Sequence, residues 1–241
     1  MAQFDRQTTA SHGGAQAAID EGLRSYMLGI YNYMGIALGI TGVVAYFFSQ
    51  WVVASPELAQ AIYGSPLRWL FALAPFAFIL ALSFGIQKMS FGTAQMVFWA
   101  FSVAMGLSLS SIFLVYTGES IAKVFFITAG TFGAMSLYGY TTKRDLTAIG
   151  SFLMMGLIGI IIASIVNIFL QSSALAFAIS IIGVLVFVGL TAYDTQKIKL
   201  MYYAGDAAAT MGKKMLMGAL TLYLDFINLF LMLLSLFGNR E

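Results

Sequence analysis

The chain has 241 residues, of which 60% are hydrophobic and only 9% charged, with no cysteine, one histidine and a formal net charge of +2. An average soluble domain carries about a quarter of its residues charged, so the composition is that of a polytopic membrane protein. Lacking cysteine, the chain has no disulfide, thiol nucleophile, iron-sulfur cluster or Cys-based zinc site, and its twelve Lys and Arg lie at the ends of apolar runs, not in a nucleic-acid-binding stripe.

Residues 1–25 are polar, with Asp5, Arg6, Asp20, Glu21 and Arg24, and lack the apolar core and small-residue cleavage site of a signal peptide. They are expected to form a soluble tail, partly helical from Ala15 onward, ahead of a membrane domain at 26–238 and a short end at 239–241. Seven apolar runs follow at 27–49, 67–86, 94–116, 121–140, 149–170, 174–196 and 215–237. Each has the roughly 20 residues that cross about 30 Å of hydrocarbon, so the fold class is an all-α integral membrane protein of seven spans.

If the spans alternate, Arg6, Arg24, Lys88, Lys143, Arg144, Lys197, Lys199, Lys213 and Lys214 share one side, and Arg68, Lys123 and Arg240 the other. By the positive-inside rule the amino terminus is cytoplasmic and the carboxyl terminus periplasmic or extracellular. Gly35 and Gly39, Gly130 and Gly133, Gly156 and Gly159, and Gly183 and Gly189 read as close helix packing.

The last two runs hold the chemistry. Asp194, in Tyr193-Asp194-Thr195, and Asp225, in Tyr223-Leu224-Asp225-Phe226-Ile227-Asn228-Leu229-Phe230, are the only acids placed inside apolar runs. An ionised carboxylate in hydrocarbon is costly, so such an acid marks a site. Thr221, Asp225, Asn228, Met232 and Ser235 are spaced 4, 3, 4 and 3 along one stripe of the seventh helix. That stripe should face protein or a wet cavity, and the helix, apolar on its other sides, reads as central.

The two acids can meet, with one difficulty. Counted at 1.5 Å per residue, Asp225 lies roughly 15 Å in from Met215 and Asp194 only about 5 Å in from Lys197. Contact requires that the sixth helix continue past Lys199, its lysines reaching outward, or that the helices tilt. Two carboxylates held together in a low dielectric do not both ionise easily, so the pair can share one proton and titrate as a unit. The plainer alternative makes Asp194 an interfacial acid neutralised by Lys197 or Lys199, and Asp225 a structural hydrogen-bonding group.

These motifs resemble those of a known family. Residues 223–230, continued by Leu231-Met232-Leu233-Leu234 and Phe237-Gly238, resemble the last-helix signature of the Bax inhibitor-1 family, the transmembrane Bax-inhibitor-motif proteins. Ala192-Tyr193-Asp194-Thr195-Gln196-Lys197-Ile198 is similar to that family's sixth-helix ending, and Lys143-Arg144-Asp145-Leu146 resembles its segment after the fourth.

The resemblance implies a seven-helix bundle whose central seventh helix is surrounded by two three-helix groups. It implies a calcium leak, with Asp194 and Asp225 as a pH-sensing pair and ion path, and, in eukaryotic members, suppression of cell death. Bacterial relatives latch one acid with a cation at the inner end of the second helix, for which Lys88 is the nearest match. A lysine there replaces a bidentate fork with a point charge. Some relatives also carry a glutamate in the second helix, and 67–86 contains none.

The function expected is therefore a pH-sensitive calcium leak channel or transporter of the bacterial inner membrane. Its partners are the lipid bilayer, calcium and protons, with no cofactor and no nucleic acid. Asp194 and Asp225 would bind calcium transiently, supported by the polar Asn228 and Thr221, since two carboxylates are too few for a closed site. The alternative is an interaction module that regulates a membrane-anchored ATP-dependent protease or a stress response. An enzyme is not expected: intramembrane aspartyl proteases need Gly-x-Gly-Asp before the second acid, and Tyr223-Leu224 stand there.

Overall fold

The computed structural model describes residues 2–239, with side chains from residue 21 onward. Among the described residues are eight α-helices and no strand: α1 (Ala2–Ala54), α2 (Pro56–Tyr63), α3 (Leu67–Gly85), α4 (Phe91–Leu109), α5 (Gly118–Thr141), α6 (Thr147–Leu170), α7 (Ser173–Leu200) and α8 (Ala208–Phe237). All but α2 are long and apolar enough to cross a membrane, which makes this a multi-pass integral membrane protein.

Helix ends follow the polar punctuation. Ser55-Pro56 stops α1 and opens the short α2. The hydroxyls of Ser90, Thr117 and Ser172 accept from the backbone N–H of Thr93, Ser120 and Leu175, capping α4, α5 and α7. Gln171 ends α6 in the left-handed region at φ 51°. The first helix differs from expectation. It is continuous from Ala2, because no proline interrupts residues 1–54, and its membrane-crossing part begins at Glu21. The side chains of the tail's first twenty residues, and Arg240 and Glu241, lie outside the described residues.

α8 is the most buried helix, but not through its polar stripe: Asp225 is buried, whereas Thr221, Asn228 and Met232 are partly exposed and Ser235 is exposed. Of the most apolar stretch of α8, 56% is buried inside the protein, against 11% for α3 and 6% for α6. α8 packs against α1, α4, α5 and α7; α4 packs on α1 and α3, and α7 on α5 and α6. The core of this packing includes Leu216, Leu222, Tyr223, Leu229 and Leu234 of α8 with Phe98 and Phe101 of α4 and Leu190 of α7, all less than 2% exposed.

The glycine reading needs correction. A side-chain carbon added at Gly183 or Gly189 would collide with Met232 or Leu153, and one at Gly156 would press on Val186, so these three do serve close packing. At Gly35, Gly39, Gly130, Gly133 and Gly159 no atom lies within 4 Å of the added carbon. Spacing within a helix identifies a small-residue face but does not say whether another helix stands opposite it.

Candidate functional site

The antiparallel register of α7 and α8 builds the site. At one end the Ser180 hydroxyl donates to Ser235 Oγ at 3.0 Å; at the other, Ile198 lies against Gly218. Between them Asp194 and Asp225 face each other in the interior, 9% and 6% exposed, each carboxyl within the field of the other. Carboxylate oxygens only accept, so a hydrogen bond between the two would need one of them to hold a proton. Asp225 Oδ2 is buried and makes no hydrogen bond.

The depth mismatch is resolved by the helix ends. α7 runs through Lys199 to Leu200, and α8 begins at Ala208, seven residues before the predicted Met215. Since Ile198 lies against Gly218, Leu200 stands near Leu216, so about two turns of α8 project past the end of α7. The intervening segment folds back along them: Lys214 Nζ donates to the Met201 carbonyl at 2.9 Å and pairs with Asp206 at 2.5 Å.

Two glycines bring neighbouring helices onto the turn that carries Asp194. The Ala192 carbonyl occupies the space a side chain at Gly139 of α5 would need, and the Tyr193 ring fills the space beside Gly150 of α6. Gln196 then ties α7 to the α5–α6 connection, accepting from Leu146 N at 2.9 Å and donating to the Arg144 carbonyl at 2.8 Å. In that connection the Asp145 carboxylate accepts from the Thr147 hydroxyl at 2.6 Å and its N–H at 2.9 Å, which holds its pKa below the usual carboxylate value.

A hydroxyl chain reaches the same turn from across the bundle. Thr195 spends its one proton on the Thr191 carbonyl at 2.7 Å. Ser136 Oγ, 2.9 Å away, must therefore donate to Thr195, and Tyr31 OH, 2.5 Å from Ser136, must donate to it. Tyr31, Ser136 and Thr195 belong to α1, α5 and α7, so three helices are joined one residue from Asp194. A second chain, Tyr223 OH to Thr41 at 2.7 Å and Thr41 to the Ser102 carbonyl at 2.9 Å, fixes α8 against α1 and α4.

The other expected site residues stand apart. Thr221 donates to the Met217 carbonyl at 3.0 Å and Asn228 to that of Leu224 at 2.8 Å, and neither is bonded to an acid. Lys88 is exposed in the turn after α3 and forms no ion pair with Asp194 or Asp225. Lys197 forms no salt bridge with Asp194, and its ammonium lies 5.9 Å from the Tyr193 ring centre. Lys199 donates instead to the Tyr140 carbonyl at 2.7 Å. Neutralisation of Asp194 by direct pairing with either lysine is thus not what the structure shows. No group of three or more His, Cys, Asp or Glu able to hold a metal ion occurs among the described residues.

Sequence reasoning missed Tyr31, Ser136, Thr195, Gly139, Gly150 and Gln196. Their one advance signal is local: Thr191 and Thr195 are four apart, and Ser136 and Gly139 three apart, on faces that later prove to be shared.

The family described as "Inhibitor of apoptosis-promoting Bax1" matches residues 23–241. Escherichia coli K12 "Inner membrane protein YbhL" is 52% identical over 224 residues, covering 91% of this chain and 94% of that one. "Uncharacterized protein RP147" of Rickettsia prowazekii is 48% identical over 238 residues, 99% of each chain. An uncharacterized protein of Caulobacter vibrioides is 48% identical over 235 residues, 94% of each.

Proposed function

The chain belongs to the Bax inhibitor-1 family, and from that premise we propose that it is a calcium leak pathway of the bacterial inner membrane, opened by protonation of the Asp194–Asp225 pair. The observation that carries the reading is the pair itself: two carboxyl groups brought together in the interior, with no salt bridge to either among the described residues. With one proton, the pair is a charge-assisted bond that ties α7 to α8. A second proton removes the charge and with it the attraction of Lys197, leaving a neutral bond roughly half as strong. Acidification therefore loosens the two helices at the point where calcium must pass.

Calcium takes oxygen ligands, and Asp194, Asp225 and the Asn228 carbonyl oxygen supply only a partial shell. The ion accordingly passes through and is not stored. The basic face, with Arg24, Lys88, Lys143, Arg144, Lys197, Lys199, Lys213 and Lys214, is cytoplasmic on this reading, and the pair has no catalytic role.

The test is calcium entry into dye-loaded liposomes containing only this protein, as the medium is acidified from about pH 8 to about pH 6. Entry should rise with acidification; flux equal to that of empty liposomes at every pH would sink the reading. That result would favour the interaction module, for which the helical extension of α1 ahead of Glu21 is the available handle for a membrane protease.

A further inference from the structure

A lateral groove separates α1 from α5. Its volume is about 430 Å³, and its apolar walls are Met27, Leu28 and Tyr31 on one side and Phe132, Gly133 and Leu137 on the other. α1 packs on α4 and α8, and α5 on α7 and α8; the one hydrogen bond between α1 and α5 among the described residues is Tyr31 to Ser136, at the groove floor. Leu28 and Leu137, 52% and 63% exposed, form the rims, so the groove opens toward the bilayer. Gly130, one turn from Gly133 on α5, and Gly35 and Gly39, one and two turns from Tyr31 on α1, likewise meet no protein atom.

Charge marks one end. Arg24 lines the groove where α1 enters the membrane, is exposed, and pairs with no carboxylate among the described residues. Tyr140, which also lines that end, carries the Lys199 ammonium on its carbonyl. Lys143 and Arg144 follow on the exit of α5. A guanidinium fork at headgroup depth, with further cations beside it and an apolar slot running inward, matches an amphiphile with an anionic phosphodiester head. It does not match a helix. A helix about 10 Å across would fit only about one turn of its length in this volume.

We propose that the α1–α5 groove is a binding site for an anionic phospholipid of the adjoining leaflet, its acyl chain along the apolar slot and its phosphate on Arg24. The bound chain lies against Tyr31 and so reaches the hydroxyl chain that ends at Thr195, beside Asp194.

The test uses full-length protein in detergent, incubated with phosphatidylglycerol or with phosphatidylcholine of the same chains, and native mass spectrometry to count retained lipid. One interfacial cation contact corresponds to about a fivefold preference for the anionic lipid. Wild type should show it, and Arg24→Gln should bind both lipids equally. Gly133→Leu should retain neither while keeping its helical circular dichroism, since the new side chain enters open space; Gly130→Leu, on the same wall, replaces it if the first variant fails to fold. Inorganic phosphate should leave the bound lipid in place. Lipid retained by a folded groove-filling variant, an unchanged preference in Arg24→Gln, or displacement by phosphate alone would each overturn the proposal. No calcium is measured, so this outcome is separate from that of the leak reading.

Discussion

Gly139→Ala adds one carbon where α5 crosses α7, and its effect can be worked from the geometry. The added carbon would stand 2.9 Å from both the carbonyl carbon and the Cα of Ala192, and closer still to the carbonyl oxygen. These are backbone atoms and cannot rotate away. Ordinary carbon contact begins near 3.5 Å, so the helices must separate by at least about 0.6 Å. One turn away, the Ser136–Thr195 bond at 2.9 Å would stretch to about 3.5 Å, the limit of a hydrogen bond. Overpacking of this kind costs about 1–3 kcal/mol and the lost bond about 1 kcal/mol more, against a gain of at most about 1 kcal/mol in helix propensity. The net destabilisation is therefore about 1–3 kcal/mol. Gly133→Ala, on the same helix but facing open space, carries only the propensity gain and should be neutral or slightly stabilising. Denaturant unfolding in micelles, followed by circular dichroism, measures both. Equal stability of the two variants would refute the claim that Gly139 is the contact that seats α5 beside Asp194.

The acid pair, the hydroxyl chain and the α6 start each give a further test. Asp225→Asn should keep the fold and remove the response of calcium entry to pH, and Asp194→Asn should give a leak less dependent on pH; an unaltered pH response in both would detach the pair from control. Tyr31→Phe removes the one bond across the groove, a loss of about 1 kcal/mol, and should raise calcium entry about fivefold if that bond holds α1 to α5 in the closed arrangement; unchanged entry would assign Tyr31 to packing alone. Asp145 contributes stability that is full above its unfolded pKa, because folding lowers that pKa, and that is lost as pH falls through the folded value. Asp145→Ala should therefore speed amide exchange at the start of α6 at neutral pH, and wild type should match the variant only below about pH 4; identical exchange at neutral pH would remove the cap from the account.

Much of this architecture is legible in the sequence, and the exceptions have physical causes. Hydropathy finds the seven spans because a 20-residue apolar run has few other uses, while helix ends other than the start of α1 shift by up to seven residues, since helices continue through the interface where hydropathy falls. The acid pair stands out because Asp194 and Asp225 have no other acids for company in those runs. The depth mismatch between them arises from counting inward from Lys197 and Met215: α7 continues to Leu200 and α8 begins at Ala208, so neither residue marks a helix end. The hydroxyl chain could not be read at all. Its bonds join residues 105 and 59 positions apart, and nothing in serine or threonine by itself names a partner. Glycine misleads for the same reason: Gly130 and Gly133 face a gap, whereas Gly139, on the same helix, is where α5 touches α7.

The two flanks of the acid pair are consequently unequal in stiffness. On one flank, backbone or ring atoms fill the space beside Gly139 and Gly150, and Gln196 adds two hydrogen bonds, so α5, α6 and α7 meet at the Asp194 turn with little freedom to slide. On the other, α1 and α5 are joined, among the described residues, by a single hydroxyl bond across an apolar groove. Close-packed interfaces resist displacement, and an interface without packing resists little. On the proposed reading, a proton arriving at Asp194 or Asp225 would therefore have its mechanical outlet toward α1. The residue that would transmit that movement is Ser136, which accepts from Tyr31 on the loose flank and donates to Thr195 on the stiff one.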